Sequence, residues 1–263
     1  YSIDFDGTAE YITLPSPTIF TDFSLSFWYK KDSAVGSIDA VVGKDTIDGG
    51  ILTSIAFSSN KLHFKNRPGS WTALTTTLSS STEFKHYSIT YDSTANELKG
   101  YCNGVLEVTT TPVFSGATGS EHSFDRIGRY ASANYLDGKL SNLATFSSIL
   151  SENDILTIYN GGAPNNISSL SPVNWWSLSG DSYYNGNDFI CPDLGSGSNN
   201  GTSNGMGGTE IVGDGPGSTS NGTGTSMAIP TNLQGNAPNS DKNAYSVNMV
   251  PTNRGTSVPD ISS

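Results

Sequence analysis

One short segment of the chain combines an aromatic ring with polar groups in a pattern typical of sugar binding. Asn66 and Arg67 are followed, after three turn-forming residues, by Trp71. An exposed indole can stack on a pyranose ring, while amide and guanidinium groups hydrogen-bond its hydroxyls. Trp71, Arg67 and Asn66 are therefore the candidate carbohydrate contact. The simpler alternative, which we favour at this point, is that Trp71 covers the edge of the fold.

Oxygen ligands suggest a second kind of chemistry, the binding of calcium. Asp6 lies in a tight turn with Gly7, and carboxylates in turns are typical ligands of Ca²⁺. Asp45 and Asp48, beside two glycines, form another candidate group of oxygen ligands. A turn-forming role explains Asp6 more simply, and we favour it. No cofactor is predicted, with calcium as the open alternative.

Histidine and cysteine are too sparse to predict nucleophilic catalysis or a zinc site. His63, His86 and His122 are isolated from one another, and none has a cysteine at a zinc-ligand spacing. His86 falls on the outward phase of a predicted strand, so we expect a surface imidazole. Cys102 and Cys191 are the two cysteines of the chain, and a disulfide between them stays open.

The charge of the chain argues against nucleic acid as a partner. The net charge is −11, and no cluster or stripe of Lys and Arg occurs that would neutralise phosphates. No apolar run approaches the roughly 20 residues that span a bilayer, so membrane insertion is not expected. The chain begins at Tyr1 rather than at a methionine, so we expect further sequence upstream.

The elements that must position these residues are short β-strands followed by one helix. Phe23, Leu25 and Phe27 alternate with polar or outward residues, which is the period of a half-buried strand. Similar segments, separated by Gly, Asn, Asp and Ser, continue until a helix predicted from Ser151 to Tyr159. Ser151 can cap this helix with Asp154 as its capping-box partner. The pattern predicts an all-β, two-sheet antiparallel sandwich over residues 1–162, with one short C-terminal helix.

After residue 162 the composition changes. Residues 163–263 hold 2 of the 13 Lys and Arg but 15 of the 29 Gly, and residues 195–226 are a low-complexity stretch of Gly, Ser, Thr and Asn. We expect a largely irregular extension. Ordering it would cost about 1–2 kcal/mol per residue, so we expect partner surfaces to offset that cost. Trp175 and Trp176 are the candidate anchor, either on the sandwich or on a neighbouring subunit.

Nine short motifs in order resemble the laminin-G-like, or concanavalin A-like lectin/glucanase, family over residues 1–162. They are Phe5-Asp6-Gly7, Phe23-Ser24-Leu25-Ser26-Phe27-Trp28, Val42-Gly43-Lys44, Lys61-Leu62-His63-Phe64, Phe84-Lys85-His86-Tyr87, Tyr101-Cys102-Asn103-Gly104, Ile127-Gly128, Gly138-Lys139-Leu140 and Leu150-Ser151-Glu152-Asn153-Asp154-Ile155. The resemblance implies a jelly-roll sandwich. Relatives often carry calcium and show two carboxylates in a Gly-x-Ile-Asp-Glu strand, where this chain has Gly138-Lys139-Leu140-Ser141-Asn142.

The resemblance also bears on catalysis. Relatives with glucanase activity use a Glu-x-Asp-x-x-Glu strand, which sets a nucleophile and a general acid on one face. None of the seven Glu of this chain stands in that pattern. We therefore expect a protein that is not an enzyme.

The remainder of the chain resembles the C-terminal part of laminin-G-like virion proteins of tailed bacteriophages. The similar segments begin at Trp175, Asp193 and Tyr245. The resemblance implies a structural protein at the virion surface, as a capsid decoration, head fibre or tail fibre. Its expected partners are other virion proteins, further copies of the chain (a trimer is one arrangement) and a host-surface glycan. The alternative is a secreted or cell-surface carbohydrate-binding module or adhesin.

Overall fold

The computed structural model describes residues 1–32, 38–44, 52–67, 71–77, 83–112 and 122–217, with only the backbone of residues 18–20, 52, 53, 66, 67 and 122. These residues form short β-strands and one α-helix, α1 (Glu152–Tyr159). The strands are β1 (Ser2–Asp6), β2 (Tyr11–Phe20), β3 (Phe23–Lys31), β4 (Asp39–Gly43), β5 (Leu52–Ser58), β6 (Lys61–Arg67), β7 (Trp71–Ala73), β8 (Lys85–Asp92), β9 (Glu97–Cys102), β10 (Val105–Thr110), β11 (His122–Ile127), β12 (Arg129–Tyr130), β13 (Asn134–Tyr135), β14 (Asp137–Phe146), β15 (Asn174–Trp176), β16 (Tyr183–Tyr184), β17 (Phe189–Cys191), β18 (Gly201–Asn204) and β19 (Ile211–Val212).

Two antiparallel sheets pack face to face. In the part of the chain that is described, the first sheet has the strand order β10-β9-β8-β3-β14-β1-β19, with β15 also paired to β14. The second sheet has the order β16-β17-β18-β2-β11-β4-β5-β6-β7. A small hairpin, β12–β13, is separate from both. The predicted all-β, two-sheet sandwich with one short helix is confirmed.

The core forms where the inward-facing side chains of the two sheets meet. Phe23, Leu25, Phe27 and Tyr29 of β3 belong to it, as the alternation of this strand predicts. Facing them from the second sheet are apolar side chains such as Phe57, whose ring lies 4.5 Å from that of Tyr29. This buried contact holds the sheets together and leaves the outer face of each sheet available for other elements.

The outer face of the first sheet is covered by the helix and the residues after it. Ser151 caps α1 with the predicted capping box to Asp154. Ile155 and Ile158 of the helix then pack with Phe146 in a second apolar cluster. Since an isolated helix of this length is marginal in water, this packing is what stabilises it.

The expectation that His86 is a surface residue was wrong. Its side chain is fully buried, and its ring lies 5.1 Å from Trp28 and 6.0 Å from Tyr159 of the helix. Strand periodicity correctly placed His86 on the outer face of the first sheet, but α1 covers that face. Nε2 of His86 lies 2.7 Å from the hydroxyl of Ser26. Burial lowers the pKa of His86 to about 3, so the ring is neutral at physiological pH.

Residues 163–217 contribute strands to both sheets. β15 pairs with β14 in the first sheet, and β19 pairs with β1. In the second sheet β18 pairs with β2 and carries β17 and β16 beyond it. Every described residue up to Gly217 belongs to one compact unit. The sandwich thus continues past the boundary expected at residue 162, while residues 218–263, including the end of the low-complexity stretch, lie outside the described residues.

Two further expectations concern the membrane and the cysteines. In the described ranges no helix is long and apolar enough to cross a membrane. Cys102 and Cys191 are both free and buried, so the disulfide left open by the sequence is absent between them. Burial raises the pKa of Cys102 to about 11 and that of Cys191 to about 12, which keeps both thiols protonated and unreactive.

Candidate functional site

The outer face of the second sheet carries an aromatic cluster that is separate from the core. His63 and Lys65 of β6 alternate with the core residues Leu62 and Phe64, so their side chains project from this outer face. A small buried group on the same face is formed by Ala40, Ala56 and Tyr130, with Ile38, Trp71 and Ala131 packed against it. Unlike the first sheet, this face has no helix over it in the described residues.

Trp71 is the central side chain of this cluster. It begins β7, the edge strand, directly opposite Lys65 of β6. Its half-buried indole meets the rings of Tyr130 at 6.1 Å and His63 at 6.3 Å, both edge to face. The ammonium of Lys65 lies over the indole, 4.9 Å from the ring centroid, and 5.9 Å from that of Tyr130. We call His63, Lys65, Trp71 and Tyr130 the tryptophan cluster.

The tryptophan cluster combines an aromatic surface with hydrogen-bond donors. It has an aromatic surface that is fixed by packing and only partly exposed, which reduces the entropy lost on binding. Within the described part of the chain, neither Nε1 of Trp71 nor Nζ of Lys65 has a hydrogen-bond or ion-pair partner. Both are donors, so a ligand rich in hydroxyl or anionic oxygens can satisfy them.

The two predicted neighbours of Trp71 are only partly described. Asn66 and Arg67 belong to β6, opposite Thr53 and Leu52 of β5, and not to the loop in which we expected them. The positions of their side chains lie outside the described residues. Their role in carbohydrate binding therefore stays a prediction. Trp71 lies on an outer face and begins an edge strand, a position that fits both a sugar contact and the simpler alternative that it covers the edge of the fold.

Sequence reasoning missed a second group of aromatic and basic residues on the same face. The guanidinium carbon of Arg129, in the β12–β13 hairpin, lies 3.5 Å from the ring centroid of Tyr11 and 5.9 Å from that of Tyr135. The hairpin rests on Gly43 of β4, where an added Cβ would touch the Arg129 carbonyl oxygen at 2.6 Å. We call Tyr11, Arg129 and Tyr135 the arginine cluster. No local signal reveals it, because its members are brought together by a reversal of the chain after β11.

Asp6, the calcium candidate, lies at the edge of an acidic pocket of about 310 Å³. The pocket is lined by Asp4, Phe5, Asp6, Glu10, Asp32, Asp137, Thr209 and Glu210. The Asp6 carboxylate accepts hydrogen bonds from the amides of Thr8 and Ala9 and from the Thr8 hydroxyl, at 2.6–3.1 Å. Burial opposes ionisation, but these bonds outweigh it and lower the pKa of Asp6. The geometry is that of a turn former.

The other carboxylates of this pocket are held by hydrogen bonds and ion pairs. Nζ of Lys139 lies 3.1 Å from Asp4 and 2.6 Å from Asp32. Glu10 accepts the amide of Asp6 at 2.8 Å, and burial, with the charges of Asp6, Glu210 and Asp4, raises its pKa to about 7. In the described ranges no group of three or more His, Cys, Asp or Glu is arranged to hold a metal ion. Asp45 and Asp48 lie outside those ranges, so calcium remains an untested alternative.

The two candidate anchor residues, Trp175 and Trp176, lie on the sandwich of their own chain. Both belong to β15, opposite Ala144 and Leu143 of β14. Trp176 is fully buried in the main core and therefore offers no surface to a neighbouring subunit. Trp175 is half-buried, and its indole N–H donates to Oδ1 of Asn142 at 3.3 Å. A contact of Trp175 with another subunit stays a prediction.

Comparison with known proteins identifies the family of the chain. The model of the concanavalin A-like lectin/glucanases superfamily, in its Laminin_G_3 form, matches residues 6–156, more than half of the chain. No curated protein matches the chain.

Several solved structures have a similar fold. A candidate carbohydrate binding protein from Bacteroides ovatus is 20% identical with a TM-score of 0.57, and the match covers 82% of this chain and 62% of that one. The chain thus spans less than two thirds of that protein. A heptameric SAP-like pentraxin from Limulus polyphemus is 15% identical, with coverage of 60% and 81% and a TM-score of 0.49. The CBM40 of a Ruminococcus gnavus IT-sialidase, bound to α2,3 sialyllactose, is 12% identical, with coverage of 60% and 98% and a TM-score of 0.42.

Proposed function

The chain belongs to the concanavalin A-like lectin/glucanase superfamily, and from that premise we propose that it is a non-enzymatic virion surface protein whose sandwich binds a host glycan. The glycan site is the outer face of the second sheet, centred on Trp71. The alternative is the same binding activity in a secreted or cell-surface module or adhesin. These two proposals share the site and differ in the particle or cell that carries it.

The observation that carries the proposal is the half-exposed indole of Trp71 on a sheet face without a covering helix. Aromatic side chains supply most of the binding energy at such sites because they bury a large area at little entropic cost. Tyr130 packs edge to face against the indole and supports its position. The similar fold of a candidate carbohydrate binding protein from Bacteroides ovatus is in keeping with this role.

The proposal that the protein is not an enzyme rests on how its carboxylates are placed. Glycoside hydrolysis needs two carboxyl groups that flank a bound sugar, one as an acid and one as a base or nucleophile. In the acidic pocket Asp4 and Asp32 share Lys139, and Glu10 is hydrogen-bonded to the Asp6 backbone. Among the described residues, Phe5 is the aromatic side chain that lines that pocket, and it is buried. Release of reducing sugar from a β-glucan by the full chain would overturn this part of the proposal.

Glycan binding is tested with the full chain on a printed glycan array, in parallel with Trp71→Ala. We expect the signal on every bound glycan to fall by about tenfold or more in the variant, since loss of an aromatic anchor costs about 2 kcal/mol. The matched control is Tyr183→Ala, which removes an exposed aromatic ring from β16 at the opposite edge of the same sheet. Binding that survives Trp71→Ala, or no binding by the folded wild type, contradicts the proposed site.

The location on a virion is a separate question with its own test. The resemblance of residues 175–181 and 193–202 to phage virion proteins supports it. An antibody against the full chain should label density-purified phage particles from the source culture. Labelling of cells or of the particle-free supernatant alone would favour the adhesin or secreted-module alternative.

A further inference from the structure

Among the described residues, the outer face of the second sheet carries mostly basic side chains, although the protein as a whole is acidic. Three of the described cationic side chains of this face matter here. Lys65 lies over Trp71, Arg126 of β11 stands directly opposite Thr13 of β2, and Arg129 lies over Tyr11. The net charge of the chain is −11. A positive surface on such a protein needs a specific explanation, because it does not follow from overall composition.

The carboxylates of the described residues are concentrated elsewhere. Six of them line the acidic pocket at Asp6. On the outer face of the second sheet, the described carboxylate beside the cations is Asp125, which lies 3.4 Å from Arg126. In the described part of the chain the charges are thus separated: carboxylates line a pocket next to β1, while basic side chains accompany both aromatic clusters.

The basic groups of this face are placed among groups that bind sugars. In the arginine cluster the flat face of the Arg129 guanidinium stacks on the ring of Tyr11. Because the N–H donors of a guanidinium lie in its plane, stacking does not use them. Beside it, Nδ2 of Asn204 donates to the Thr13 hydroxyl at 2.8 Å, which adds neutral hydrogen-bonding groups. Lys65 likewise places its charge over an aromatic ring, that of Trp71.

We infer that the ligand of this face is an acidic glycan, whose carboxylate or sulfate groups contact Lys65 at the tryptophan cluster and Arg129 at the arginine cluster. The inference rests on the proposed function and names the class of glycan. Charge complementarity favours an anionic ligand, and the stacked aromatic rings favour a sugar over a simple anion. Arginine suits carboxylate and sulfate groups because its N–H donors form a rigid fork that can reach two of their oxygens at once.

The test uses the full chain and pairs of oligosaccharides that differ only in charge. The probes are oligogalacturonate and its carboxyl-reduced neutral form, together with a sulfated dextran oligosaccharide and its unsulfated neutral parent. We expect each acidic probe to bind at least about tenfold more tightly than its neutral partner at low salt. Lys65→Gln and Arg129→Gln should each reduce that preference, and 0.5 M NaCl should weaken acidic binding strongly. Comparison of the two acidic probes distinguishes a carboxylate from a sulfate.

Lys99→Gln is the matched control, because it removes the same charge from β9 of the other sheet, where Lys99 pairs with Glu97. It should leave the preference unchanged, and melting curves should show that all three variants are folded. If neutral and acidic probes bind equally, and Lys65→Gln has no effect, this inference is overturned while the proposed glycan binding stands. If the folded wild type binds no probe and no arrayed glycan, the proposed function itself fails.

Discussion

The indole N–H of Trp176 donates to the backbone carbonyl of Asn199 at 2.9 Å, and the Trp176 side chain is fully buried in the core between the sheets. The bond joins β15 to the segment that leads into β18. Asn199 in turn donates from its side chain to the carbonyl of Ser16 in β2 at 2.8 Å. Residues that follow the helix in the chain are thus part of the sandwich and connect its two sheets.

Replacing Trp176 should destabilise the whole sandwich. We expect Trp176→Ala to lower the free energy of unfolding by about 3–5 kcal/mol, because it leaves a large cavity in the core. Trp176→Phe keeps much of the side-chain volume but leaves the Asn199 carbonyl without its donor. It should lower the free energy of unfolding by about 1–3 kcal/mol. Urea unfolding measures both. Equal stability of Trp176→Ala and wild type would contradict the buried position.

Truncation should distinguish the predicted domain boundary from the observed compact unit. A chain ending at residue 217 should unfold cooperatively at a temperature close to that of the full chain. A chain ending at residue 162 lacks the strands that pair with β1, β2 and β14, and exposes the apolar surface that they cover. We expect it to aggregate or to melt much lower in calorimetry. A stable, monomeric 1–162 fragment would show that the later strands are dispensable.

Glu10 should make the protein less stable as the pH rises from about 4.5 to about 7. Its pKa is raised from the ordinary value of 4.5 to about 7 in the folded state, so over this interval the folded state binds more protons than the unfolded state. Glu10→Gln keeps an acceptor for the Asp6 amide and removes the charge. We expect it to raise stability above pH 7 by roughly 1–2 kcal/mol, with solvent screening included, and to have no effect near pH 4. Denaturant melts at several pH values give the difference.

His86 should have the opposite pH dependence. Its pKa falls to about 3 in the folded state, so between pH 6.5 and pH 3 the unfolded state binds more protons and stability falls as the pH falls. We expect the difference in protonation of His86 to lower the free energy of unfolding by up to about 4 kcal/mol on acidification to pH 3. His86→Phe, whose ring can pack against Trp28 and Tyr159 as the imidazole does, should lose that part of the acid sensitivity. A His63→Phe control, on the outer face of the other sheet, should retain it.

The elements that sequence reasoning predicted correctly depend on neighbours in the chain. The capping box of Ser151 and Asp154 and the alternation of Phe23, Leu25 and Phe27 arise from residues a few positions apart. His86 shows the limit of this approach. Periodicity assigned its face correctly, but the covering helix begins 66 residues later, so its burial was not visible in the local pattern.

Strand alternation, the helix cap and the order of the motifs can be read from the amino-acid sequence, so the class of fold and the candidate role of Trp71 were predictable from it. The contacts of Trp71 with Lys65 and Tyr130, the stacking of Arg129 on Tyr11 and the core position of Trp176 became visible in the folded chain. These contacts depend on strand pairing between distant segments, because β2 pairs with β11 and with β18 and no short-range pattern specifies those registers. The face on which the proposed function depends is therefore assembled only when the chain folds.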